Sequence, residues 1–155
     1  LPVWRTIAPP GVEPFLGRHE LAHRIDPLAR AHCRAISGEI HSGFTNLRSA
    51  LPMNLKVRHE TFPVFSGAKP DIERIEVIWA ECFDRYGGPF LFGEKPTVAD
   101  AMYAPVTTRF VTYAVAVSDR AAAYCKAIAG WAPMQAWMEA ALAEPEEMEE
   151  LEVEF

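Results

Sequence analysis

Apolar residues recur along this chain at helical rather than strand spacing. Ile36, Ile40, Phe44, Leu47 and Leu51 fall at intervals of four, four, three and four, which predicts an amphipathic helix of about six turns beginning near Leu28. Pro52 discourages its continuation. The next segment, "NLKVRHETFPVFSGAK", has turn residues and no helical period, and reads as a loop. A second helix is then expected. Pro70 suits its first turn, Ile72, Ile75, Trp79, Phe83 and Tyr86 keep the period, and Gly87-Gly88 supplies a left-handed stop.

Thr97 precedes the next apolar run, with Asp100 three residues on, the arrangement of a reciprocal N-terminal cap. From Val98 to Val111 almost no polar face remains, so this third helix is expected to be central, surrounded by others and bent at Pro105. Ser118 or Asp119 can cap a fourth helix that closes at Gly130. Pro133 opens a fifth, with Met134, Trp137, Met138 and Ala141 on one side. Strand signals are almost absent after residue 28, so the expected fold class is all-α, about five helices around a buried central one. Residues 1–27 hold five prolines and two glycines without a sustained apolar period. The expected division is therefore a linker or extended arm over 1–25, a helical domain over 26–143 and a tail over 144–155.

Composition agrees with one domain: 155 residues, half of them apolar, can bury a core without staples. No apolar run approaches the roughly 20 residues needed to cross a bilayer, and the N-terminus lacks the basic start and apolar stretch of a secretory signal. A cytoplasmic location with no membrane partner is the expectation. Cys33, Cys82 and Cys125 are far apart and odd in number, which points to reduced thiols. The net charge of −6 is concentrated in "EPEEMEELEVEF", whose seven glutamates leave the remainder at about +1. That balance gives no support to a nucleic-acid partner.

One short motif invites a different chemistry. His19-Glu20-Leu21-Ala22-His23 satisfies H-E-x-x-H, which on a helix places two zinc ligands on one face with a glutamate to activate water. The third ligand is not where such enzymes carry it, because the third residue after His23 is Asp26 and the sixth is Ala29. Glu39 remains as a distant ligand, but Pro27 disfavours a long helix through the motif. The expectation is a linker with two exposed histidines and no metal. Cys33 neighbours His32, yet consecutive helix residues point apart and form no nucleophile-base pair.

Three stretches carry a resemblance: "DPLARAHCRAISGEIHSGFTNLRSALPMN", "GPFLFGEKPTVADAMYAPVTTRF" and "AAYCKAIAGWAPMQAWMEAALAEP". Together they resemble the all-helical C-terminal domain of cytosolic, bacterial-type glutathione transferases. The resemblance covers about residues 26 to 145, and its most specific part is Thr97-x-x-Asp100 within F-L-x-G-x-x-P-T-x-A-D. It implies that Thr97 and Asp100 form a structural cap. It implies that the first helix walls the pocket for a small hydrophobic electrophile and contributes to a homodimer.

Ser37, His41, Phe44 and Arg48, at i, i+4, i+7 and i+11, form a second stripe suited to that wall, with Met102 and Val106 as its floor. Before any resemblance, His41 reads as an interfacial histidine, Phe44 as core and Arg48 as a solvated or ion-paired residue. Whole members also carry a thioredoxin-like N-terminal domain that activates the thiol of glutathione, their cosubstrate. No such features are recognisable in residues 1–25. The expectation is that the N-terminal domain is a missing partner, and that this chain alone has no catalytic residue, binds no glutathione and is inactive. The alternative is a non-catalytic helical binding or assembly module of the same fold.

Overall fold

The computed structural model describes residues 26–145. The arm over 1–25, with His19, Glu20 and His23, lies outside the described residues, as does the tail from Glu146 onward. Among the described residues the chain forms six α-helices and no strand, with one isolated bridge between Phe90 and Gly93. They are α1 (Pro27–Ser42), α2 (Thr45–Ala50), α3 (Lys69–Tyr86), α4 (Val98–Thr112), α5 (Asp119–Ala129) and α6 (Ala132–Ala143). A 3-10 turn, Ser66–Ala68, leads into α3.

Local signals set most boundaries. The Asp26 side chain accepts from Leu28 N–H at the start of α1, with Pro27 in the first turn. Pro70 opens α3, and Gly87, at φ 67°, closes it. Gly88 is required as well, because a Cβ there would lie 2.3 Å from the backbone carbon of Gly93. Of the two candidate caps for α5, Ser118 holds the position, its hydroxyl accepting from Ala121 N–H.

The expected six-turn first helix is two helices. α1 stops at Ser42, and Phe44 takes a left-handed conformation (φ 58°, ψ 40°) before α2 begins. Gly43 N–H donates to Glu39 O at 2.8 Å, and a Cβ on Gly43 would meet that same oxygen at 2.8 Å. Groups from outside complete the break: Leu47 N–H, at the start of α2, donates to Asp71 Oδ2 in the first turn of α3. The apolar stripe survives the corner, since Ile36, Ile40, Phe44, Leu47 and Leu51 are all buried.

α4 is central, as its composition predicts, with buried residues spaced around it from Ala99 to Thr112, and it runs through Pro105 without a break. It packs on α1 and α5. Trp79 of α3 lies fully buried among Tyr103, Phe110 and Tyr124, ring centroids 6.0, 5.6 and 4.8 Å away. α6 is outermost. Met134 is buried and Met138 half-buried, but Trp137, expected on the same side, is 43% exposed. Among the helices α6 packs chiefly on α5, so only a narrow arc of its surface is covered.

The cap at the head of α4 ties this arrangement together. Asp100 is 0% exposed, and its carboxylate accepts from Thr97 N–H (2.7 Å), Thr97 Oγ1–H (2.8 Å), Leu91 N–H (3.0 Å) and Tyr124 O–H (3.2 Å). Burial, and then the adjacent carboxylate, push the Tyr124 pKa well above its ordinary value, which keeps the hydroxyl protonated as a donor. Asp100→Asn would put an amide N–H₂ against donors. It is expected to lower the free energy of unfolding by about 2–4 kcal/mol, against about 1 kcal/mol for Tyr124→Phe, read from denaturant midpoints. Equal effects of the two substitutions would show that Asp100 acts only through Tyr124.

Candidate functional site

Five of the six residues expected to wall a pocket fall into two groups. Ser37 is half-buried on α1, and its Oγ is a buried atom; His41, one turn on, is exposed. Met102 on α4 is half-buried and packs against the core. His41 keeps its side chain at the surface, and Ser37 and Met102 are each partly covered. Phe44 and Val106 are buried in the core, 7% and 3% exposed.

Arg48 belongs to neither group. Its Nη2 donates to Ile40 O at 2.7 Å, to His41 O at 3.3 Å and to Gly43 O, while Nη1 reaches His41 O at 3.4 Å. The guanidinium therefore closes the C-terminal end of α1, where unpaired carbonyls and the helix dipole favour a cation. The i, i+4, i+7, i+11 stripe required an unbroken helix through residue 48. The corner at Gly43-Phe44 turns Arg48 back onto α1, so Arg48 does not continue the stripe of Ser37 and His41.

A cavity of about 160 Å³ instead lies at the other end of α4, between the loop at 55–58, the last turns of α4, and α5 and α6. Leu55, Val57, Val111, Met134 and Met138 supply apolar walls, with Lys56 and Arg58 also lining it. The threonines of α4 turn their hydroxyls away: Thr107 donates to Ala104 O, Thr108 to Pro105 O and Thr112 to Asn54 O, at 2.8 to 2.9 Å. All three threonines line the space.

The loop forming one side is fixed from several directions. Arg109 Nε donates to Leu51 O (2.9 Å), Tyr113 O–H to Pro52 O (2.9 Å) and His59 N–H to Thr112 O (2.8 Å). The His59 ring stacks on Tyr113, centroids 5.2 Å apart and 12° from parallel. Sequence reasoning missed this cavity. Its only available signal was the run of threonines in a helix otherwise apolar.

A second cluster was also missed. His32 Nδ1 and Tyr86 O–H share a hydrogen bond at 3.0 Å, and the His32 ring meets the edge of Phe92. This links α1 to the end of α3 and the loop before α4. Desolvation raises the Tyr86 pKa, which keeps the phenol protonated.

The thiols are poor nucleophiles. All three are buried. Burial raises Cys33 despite hydrogen bonding from Ala99 and Thr97, and pushes Cys82 and Cys125 up to about 12. Among the described residues no group of three or more His, Cys, Asp or Glu side chains is placed to hold a metal ion. Nor is any helix there long and apolar enough to cross a membrane.

These environments can be probed by substitution. Arg48→Ala should destabilise the fold by roughly 1 kcal/mol through the exposed end of α1, seen as a lower denaturant midpoint. Because Cys82 and Cys125 are protonated when folded but ionise near pH 9 when unfolded, the folded state holds more protons in that window. Stability should be unaffected by these groups below about pH 9 and fall as pH rises toward 12. Replacing Cys125 by Ser should flatten that decline in denaturation curves taken at pH 8 and pH 10.5.

Comparison with known proteins adds one match. Residues 38–140, from the middle of α1 to the last turn of α6, match the family described as "Glutathione S-transferase, C-terminal domain". No curated protein matches the sequence.

Proposed function

Since the chain belongs to the family of glutathione S-transferase C-terminal domains, we propose that it is the electrophile-facing half of a transferase whose glutathione is bound and activated by a thioredoxin-like domain. The observation that carries this reading is at one end of the bundle. Leu28 and Val98, at the heads of α1 and α4, are 64% and 57% exposed. The two helix heads are held together, with Cys33 Sγ 4.0 Å from Thr97 Oγ1. Apolar residues exposed where residues 1–25 join the helices suit a packed neighbouring domain.

In the proposed reaction, a thiolate made available near neutral pH attacks the electrophilic carbon of a small hydrophobic substrate, and the leaving group departs as the C–S bond forms. This chain's own thiols, buried and held protonated, are unsuited to that step. Ser37, His41 and Met102 are the proposed contacts for the electrophile, with Phe44 and Val106 supporting them from the core. Arg48 sets the corner that ends this face. Val77 on α3 and Phe65 just before it, 47% and 63% exposed, support pairing of two copies into a homodimer. A cytoplasmic setting, where glutathione is the abundant thiol, completes the proposal.

The test joins the chain to a thioredoxin-like glutathione-binding domain of the family and follows conjugation of an aryl halide. The chain alone is expected to give only the uncatalysed rate. The joined protein should exceed it, and Val98→Asp should lower the gain by about tenfold through loss of apolar contact. Turnover by the chain alone would refute the division of labour. A joined protein that binds glutathione yet gives no turnover with a panel of electrophiles would favour a non-catalytic module.

A further inference from the structure

The space at the far end of α4 has the composition of a ligand site and no part in the reaction proposed above. Ten residues of helix, roughly 15 Å, separate Met102 on the proposed electrophile face from Thr112 at the cavity. The inner wall is buried and apolar, formed by Cys125 and Ile128 of α5 and Met134 of α6. The mouth is exposed: Val57 and Val111 are 40% and 37% exposed, and Lys56 and Arg58 stand with them in solvent. The cavity therefore runs from hydrocarbon to positive charge within one small volume.

The chemistry of the occupant follows from that gradient. About 160 Å³ is close to the roughly 150 Å³ apolar cavity that admits one benzene ring. The thioethers of Met134 and Met138 on its walls favour an aromatic over an aliphatic ring. Nothing inside is suited to hold a charge. The hydroxyl protons of Thr107, Thr108 and Thr112 are committed to Ala104 O, Pro105 O and Asn54 O, and burial pushes the Cys125 thiol up to about 12, so it stays neutral. A polar group on the ligand must therefore remain at the mouth. There the charged lining residues are Lys56 and Arg58, and among the described residues no carboxylate lines the space. Lys56 Nζ donates to the neutral carbonyl of Glu144 at 2.9 Å, which positions the ammonium at the rim. The carbonyls that end α4, which would repel an anion, are occupied: Arg109 O accepts from Tyr113 N–H and Thr112 O from His59 N–H.

We propose that this cavity binds a small arenecarboxylate, its single ring between Val111, Ile128 and Met134 and its carboxylate at the mouth beside Lys56 and Arg58. The ring supplies most of the affinity by leaving water, and the carboxylate supplies selectivity over neutral and cationic rings of the same size.

The test labels the methionine methyl groups of the full chain with carbon-13 and titrates it with benzoate, toluene and benzylammonium, followed by NMR. Met134 and Met138 line the cavity and Met102 does not, so one spectrum separates this site from the electrophile face. Benzoate is expected to shift the Met134 and Met138 signals saturably and leave Met102 in place. It should bind about threefold tighter than toluene, with benzylammonium weaker still. Arg58→Gln, at an exposed position, should remove part of that preference and leave toluene binding unchanged; adding Lys56→Gln, or high salt, should remove the rest. Val111→Phe, which adds a ring at an exposed wall position, should block all three ligands with the helical circular dichroism unaltered. No saturable shift at Met134 and Met138 would overturn the proposal. So would equal binding of benzoate and toluene, which would make the space an apolar cleft without charge preference, or a Met102 shift in step with Met134, which would place the ligand on the electrophile face.

Discussion

The buried carboxylate of Asp100 is the constraint on which the arrangement of helices depends. A carboxylate removed from water must have its oxygens satisfied by the protein. Here the four donors come from three parts of the chain: Thr97 at the helix head, Leu91 in the preceding loop and Tyr124 on α5. One group therefore starts α4, shapes the turn before it and fixes the position of α5. Tyr124 in turn meets Trp79, and Trp79 meets Tyr103 and Phe110 of α4. The polar centre and the aromatic core are thus joined through a single side chain.

The opposite end of α4 is organised by the complementary device. Where Asp100 gathers donors, the last turns of α4 present them, and carbonyls of the 51–54 segment accept from Arg109, Thr112 and Tyr113. The connecting segment between α2 and α3 contains no α-helix and is nonetheless held in place. Residues 55–58 of that segment, with Thr107 and Thr108, line the cavity. The two ends of one helix therefore serve different purposes. The head joins neighbouring elements, and the tail builds a groove.

On the proposed reading, this helical domain would contribute to thiol chemistry without supplying the thiol. Its cysteines are desolvated packing residues, and its hydroxyls are largely bonded to backbone. Rigidity at the head of α1 and α4 is what a neighbouring domain would need for a fixed substrate wall, because positioning within a fraction of an ångström governs the rate of a bimolecular attack.

How much of this was legible in the sequence depends on the range of the forces involved. Pro70, Gly87, Ser118 and the Thr97-Asp100 pair act within about one helical turn, so their letters sufficed to place helix starts and stops and the central helix. The resemblance carried by the capped segment led to the same family as the match over 38–140. Gly43 within the first stripe was the readable sign of a break. The conformation adopted there depends on Asp71, which is 24 residues from its partner Leu47, and on Arg48 folding back. The pocket stripe was therefore drawn on a helix that packing divides. Tyr124 reaching Asp100, and Arg109 reaching Leu51 58 residues away, are contacts of the same kind. Local sequence determined which segments are helical and which faces are apolar, since those follow from backbone geometry and the spacing of side chains. Only the tertiary structure decided which polar groups meet and where space is left, because those outcomes depend on how distant segments pack against one another.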